Sequence, residues 1–375
     1  MSFRDHFDLP RDQIYLNCAY MGPMPRAAVE AGSASYDRKA RPWEFNVQRD
    51  FFDLPDALRV EAATLFSAAA DDIALVPAAS YGLATAAKNL KPETGSEILV
   101  LDGQFPSNVY VWRGLARETG ASVRTVRRSA NESWTDAVLP AIGPQTAILA
   151  LPGVHWADGG RLDLAAIGKK GRAHGAALVL DLTQSLGAAP FDLAGIKPDY
   201  AVAAAYKWLL GPYSMGFLYV APERRSDTPL EENWIVRDRA EDFARLVDYA
   251  DGYARGARKF DMGERSAFQL VPAALESLTL LNGTGLETIA AGCAERVTAL
   301  EAAVQPLGLH TDTPDRAGHY LCLTLPEGAP TDLAARLGQR NVHVSQRGDR
   351  LRVTPHLYNG DTDIAAFADA VKAEL

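Results

Sequence analysis

The sequence predicts an α/β protein: a mostly parallel sheet with helices on both faces, followed by a smaller α+β lobe. Three observations carry this expectation. Short apolar runs alternate with amphipathic, helix-like segments through the middle of the chain, the order that builds parallel sheets. The runs hold Val, Ile, Leu and Ala at successive positions, so both faces of each strand need cover. After about Asp261 the alternation stops and long helical periodicity takes over. At 375 residues the chain is long enough for one large unit and a second, smaller one.

In chain order, the runs Ile98–Leu101, Ala147–Leu151, Ala177–Leu182, Tyr200–Ala205 and Gly216–Val220 read as strands. Between the first two lies PSNVYVWRGLARETG, a helix closing on Gly120. The segment DLAAIGKKGRAHG is another: Asp163 is placed to cap it, Leu164 and Ile167 share a face, and Gly175 follows its end. The polar stretch Arg224–Glu232 reads as a surface loop. Helical periodicity then runs from Phe268 to about Gln305. Short strands in HYLCLTL and RLRVTP follow, with helices at Asp332–Leu337 and Ile364–Leu375. The expected division is a large unit over 15–260 and a small one from 1–14 and 261–375.

Bulk properties exclude several function classes. The formal net charge is −9, and no basic block compensates it, so neither a nucleic-acid nor a membrane partner is expected. Arg124, Arg127 and Arg128 form too short a run to change this and read as a solvated face. The N-terminal stretch lacks an apolar core of signal-peptide length, and no apolar run is long enough to span a bilayer. The 3 cysteines, Cys18, Cys293 and Cys322, are odd in number and widely spaced. They lack metal-site spacing and fit a reducing compartment, with cytoplasm the default.

Chemistry concentrates between Leu178 and Val220. One strand ends at Asp181, and the next leads to Lys207. A primary amine and a carboxylate at the ends of neighbouring strands are what pyridoxal 5'-phosphate (PLP) requires. The amine forms a Schiff base with the cofactor aldehyde, and the carboxylate keeps the pyridine nitrogen protonated so that the ring takes up electrons. A phosphate needs clustered donors, which a helix N-terminus supplies. The candidate is PAASYGLATAAKNL, with Ser80 where an N-cap would sit and Gly82 allowing close backbone approach. An amino-acid substrate brings a carboxylate, which a planar guanidinium binds through two parallel hydrogen bonds.

From IYLNCAYMGP near the start to LRVTPHLYNGDTDI near the end, the chain resembles the class V aminotransferase superfamily. That group holds cysteine desulfurases, kynureninases, isopenicillin N epimerase-like proteins and transaminases. The resemblance implies a fold-type I PLP enzyme with a seven-stranded sheet, acting on an amino acid, as a homodimer with active sites at its interface. It puts Ala79 and Ser80 at the phosphate, Phe105 on the cofactor ring, and Asp181 at the pyridine nitrogen. It puts Gln184 at the ring hydroxyl and Tyr206 at the phosphate. Trp156 stands where relatives often have Asn near that hydroxyl, and so contacts the cofactor or walls the substrate pocket. His155 beside it reads as a structural histidine. Ser266 and Arg265, in the loop GERS, would serve the partner's phosphate, and Arg352 would anchor the substrate carboxylate. The shared machinery leaves the reaction open. Aminotransferase leads, a β-lyase of sulfur amino acids or an epimerase is the alternative, and a non-catalytic binding protein would have no need of Asp181, Lys207 and Arg352 together. One departure excludes a persulfide-forming desulfurase: the stretch GQRNVHVSQRGDR ahead of Arg352 holds no cysteine.

Overall fold

Strands that are apolar on both faces can lie only inside a helix-covered sheet, and the chain places them there. A computed structural model describes residues 2–375. After the two-residue strand β1 (Ile14–Tyr15), the central sheet takes seven strands: β2 (Ile73–Val76), β3 (Glu97–Leu101), β4 (Ser122–Val126), β5 (Thr146–Pro152), β6 (Ala177–Asp181), β7 (Tyr200–Ala204) and β8 (Gly216–Val220). Their order is β2-β8-β7-β6-β5-β3-β4. Neighbours from β7 to β4 are parallel, and β8 alone runs against the rest.

The predicted strands are present, each within a residue or so of its expected bounds. Two of the central sheet went unpredicted. β2 is only four residues long and wholly buried, too short to show a period. In β4, Ser122, Arg124 and Thr125 face solvent at the sheet edge, so the segment reads as polar. The helix caps hold: the Asp163 carboxylate accepts from the Ala166 amide at 3.0 Å, and Gly120 closes its helix at φ 78°.

Two apolar layers flank the sheet, and a third core fills the small lobe. There β9 (Leu321–Thr324), β11 (Ser345–Arg347) and β12 (Arg350–Val353) form an antiparallel sheet of order β11-β12-β9, and β10 (Val342–His343) pairs in parallel with β1. Val271, Ala274, Leu278 and Leu281 of the helix Leu270–Thr284 pack in a core layer of the sheet, while Ile14 and Leu16 pack in the core of the lobe. Helical periodicity shows that a face is buried, not against which neighbour.

A buried ion pair ties the large unit together. Arg59 is fully buried and donates to both Asp261 oxygens, at 3.1 and 2.8 Å. Asp261 Oδ1 also accepts from the Leu75 amide at 2.7 Å. Breaking such a pair leaves an uncompensated buried charge, so these contacts hold β2 and the segment ahead of GERS in place. No helix among the described residues is long and apolar enough to cross a membrane.

Candidate active site

The carboxyl ends of β5, β6 and β7 open into a cavity of about 410 Å³, the usual place for a ligand in an open α/β sheet. Asp181 is the last residue of β6 and lies on its wall, 8% exposed, with Oδ1 accepting from the Thr183 amide at 3.0 Å. Lys207 follows β7 by three residues and is 7% exposed. Burial pushes its amine down to about 8. Asp181 pulls the other way, while Arg352 and Arg347 add to the depression. The Lys207 amine is thus desolvated, near neutrality and beside a carboxylate, as a reactive amine must be.

At one end of the cavity the helix Ala79–Asn89 begins. Ser80 is not its cap. Ala78 takes that position with extended backbone, and no side chain caps the first turn. The Ala79 and Ser80 amides therefore start the helix with free donors toward the cavity. Phe105 is 38% exposed and lines the cavity, which rejects a buried core role. Its ring meets Trp156 edge-on at 5.5 Å, and Lys207 Nζ stands 5.5 Å from its centre. Trp156 donates from Nε1 to the Gly103 carbonyl at 2.7 Å. Tyr206 packs on Tyr213 at 4.7 Å between ring centres, both on the cavity wall.

Gln184 is buried on the same wall. Its Nε2 donates to the Ala19 carbonyl at 3.1 Å, and its Oε1 accepts from Trp208 Nε1 at 3.0 Å. One N–H of the amide remains for a ligand. The Gly22 amide donates to the Tyr206 carbonyl at 2.8 Å, so the N-terminal segment closes this side. Arg352 arrives from the small lobe and is 2% exposed. Its Nη1 donates to the Trp156 carbonyl at 2.8 Å and to the Tyr320 hydroxyl at 3.1 Å, while its buried Nε has no partner among the described residues.

Other candidates fall elsewhere. Ser266 donates to the Phe51 carbonyl at 3.0 Å and Arg265 pairs with Asp261 at 3.4 Å; neither lines the Lys207 cavity of its own chain. His155 is structural: its ring nitrogens lie 3.0 Å from Asp158 Oδ1 and 3.1 Å from the Asp102 carbonyl. Asp158 also accepts from Arg128 at 3.0 Å. Arg128 is thus turned inward rather than solvated, because a buried carboxylate draws it in. Gln104, Asn108 and Thr183 also line the cavity and were not foreseen. Gln104 and Asn108 bracket Phe105 in the sequence, a signal read only for its aromatic residue. Asn108 is fully buried and keeps its Nδ2 without a partner among the described residues.

The family model described as aminotransferase class-V matches residues 23–357. The chain belongs to the class-V aminotransferase family. Members of the family are PLP-dependent enzymes. The uncharacterized aminotransferase YcbU of Bacillus subtilis is 27% identical to this class-V chain over 357 residues, 90% of it and 86% of the relative. The kynureninase of Deinococcus radiodurans is 32% identical over 278 residues, 71% of this chain and 65% of that one. Among solved structures, a lysine-to-alanine mutant of C-DES with glycine covalently linked to its PLP cofactor matches with a TM-score of 0.88. It covers 99% of both chains at 20% identity, a likeness of fold.

The class-V site fits PLP on its own geometry. It has an unpaired, desolvated amine, a carboxylate on the adjoining strand end, an uncapped helix start, an aromatic face and an orphaned Asn108 amide around one cavity. The lowered Lys207 value sets a pH dependence. Only the neutral amine attacks an aldehyde, so PLP capture by the apo-protein should accelerate with rising pH and level off above about 8. Capture followed by absorbance checks this; a lysine of ordinary value would keep accelerating to about 10.4.

Proposed function

We propose that this class-V enzyme transaminates an α-amino acid, with Lys207 moving the proton at Cα and Arg352 holding the carboxylate. The convergence of Lys207, Asp181 and Arg352 from two strand ends and the small lobe supports chemistry at Cα of an amino acid, and the class-V aminotransferase match favours transamination among its outcomes. When bound, PLP supplies an aldehyde that captures amines and a ring that accepts an electron pair. Asp181 holds the proton on the ring nitrogen. Arg352 orients the substrate by its carboxylate, which sets Cα beside Lys207 Nζ. The amine, with its value near 8, would take the proton from Cα. Trp156 and Phe105 keep water from that proton. A panel of amino acids with product identification tests the reading. A keto acid formed with aminated cofactor supports it; ammonia with sulfide, or an inverted Cα, moves the chain to the lyase or epimerase alternative.

The cysteines bear on a persulfide-forming desulfurase and leave the β-lyase alternative open. All three are buried. Burial raises Cys293 to about 12 and Cys322 to about 11, and holds Cys18 well above the ordinary thiol range. A thiolate nucleophile needs exposure and a lowered value. A single turnover with cysteine is therefore expected to leave the intact mass unchanged; a persulfide adduct formed at a competent rate would reverse this.

The chain is further proposed to work as a homodimer in the cytoplasm. Tyr213 lines the cavity yet is 64% exposed, and Tyr20 near the same mouth is 55% exposed, an apolar rim that a second copy would cover. In that dimer Ser266 and Arg265 are assigned to the partner's phosphate. Sedimentation of the holoenzyme should give twice the chain mass, and an active monomer would refute the assignment.

A further inference from the structure

β11 and β12 form a hairpin whose register pairs Ser345 with Arg352 and Arg347 with Arg350. Opposed residues and their second neighbours share a face, so Arg347, Arg350 and Arg352 leave the hairpin on one side. Arg350 is neutralised by Asp312 through two hydrogen bonds of 2.6 and 3.0 Å. The other two have no carboxylate partner among the described residues. Arg347 donates to its neighbour's carbonyl, Gln346, at 2.7 Å. Arg352 donates to the Trp156 carbonyl and the Tyr320 hydroxyl. Both guanidiniums sit by the Trp156 ring, 5.6 and 5.5 Å from its centre. Burial and the Arg352 charge lower Arg347 below its ordinary value, and both arginines depress Lys207. In a chain of net charge −9, two guanidiniums with no carboxylate partner among the described residues thus stand against Trp156, which lines the Lys207 cavity.

An amino acid bound at Lys207 brings one carboxylate, which matches one guanidinium. A monoanionic substrate leaves Arg347 and its repulsion with Arg352 uncompensated. We infer that the site selects an α-amino acid whose side chain carries a second anion, with the α-carboxylate on Arg352 and the distal anion on Arg347. The inference rests on the function proposed above and adds the substrate class. Trp156 packs against both guanidiniums, so one ring borders the two proposed anion sites. Arg347 is exposed on the hairpin, which leaves it free to meet a side chain entering from solvent.

The test uses the holoenzyme and matched pairs that differ only in charge: aspartate with asparagine, glutamate with glutamine, and cysteate as a sulfonate. Binding is read from the shift of the cofactor absorption band. The wild type should prefer the acidic member by about tenfold to a hundredfold, the range of a charged hydrogen-bonded contact, and the preference should shrink as salt is raised. Arg347→Gln should bring the ratio close to one, and Arg347→Lys should keep part of it. Equal binding of both members by the wild type, or a preference that survives Arg347→Gln, overturns the assignment. Arg352→Gln should weaken both members of every pair. Neutral and acidic amino acids that bind equally yet depend on Arg352 would sink the Arg347 role alone. If no amino acid shifts the band, the proposed function falls with it.

Discussion

Replacing Lys207 with alanine is expected to cut turnover by about a thousandfold or more, since the step loses both the amine that anchors the cofactor and the group that moves the Cα proton. The fold should survive. Lys207 Nζ makes no ion pair among the described residues, and its removal relieves the cost of desolvating a charge. Borohydride reduction of the wild-type holoenzyme, followed by peptide mapping, should place the pyridoxyl group on Lys207, and the variant should take up none. A label on any other lysine would remove the assignment. The two readouts are independent: the first reports chemistry and the second reports which amine the cofactor meets.

Arg352→Ala is expected to lower kcat/KM by about 30-fold to 1,000-fold, or about 2–4 kcal/mol, the cost of leaving a substrate carboxylate without its charged partner. PLP loading should persist, because the cofactor's neighbours lie on the large sheet. Arg352 also steadies Trp156 and Tyr320 through its hydrogen bonds. A structural role would appear as cofactor loss and a lowered melting temperature together with lost activity. A substrate role appears in kcat/KM alone, with partial recovery in Arg352→Lys.

What could be read in the sequence follows from how local each feature is. Asp181 and Lys207 were legible because strand ends are local, and the sheet brings neighbouring ends together. Phe105 came from the family resemblance rather than from any local pattern, and its ring lines the cavity. Ser80 was misplaced as a cap because capping depends on which residue takes extended backbone, and that residue is Ala78. Arg128 was misread because its partner, Asp158, lies 30 residues on. Nothing in the sequence sets Arg347 apart from its neighbour Arg350. The proximity of Arg347 to Trp156 exists only once a hairpin of the small lobe is folded onto the end of β5. Gln104 and Asn108 were passed over for a similar reason, since a polar residue at a strand–helix junction carries no mark of the cavity it will line.

The pairing of β1 with β10 has a consequence for how the enzyme is made. Ile14 finds its strand neighbour at Val342, and Arg4 meets Asp363, 359 residues along the chain. The residues that follow β1 back the cavity wall: the Ala19 carbonyl accepts from Gln184, and the Gly22 amide donates to the Tyr206 carbonyl beside Lys207. A ribosome delivers these first residues long before their partners exist, and contacts so distant in sequence form late. A nascent chain stalled before β10 would have its sheet, Asp181 and Lys207, but an open pocket on the side of Ala19. Firm retention of the cofactor therefore belongs to finished chains, and the reactive amine is sheltered only after the last strand has left the ribosome.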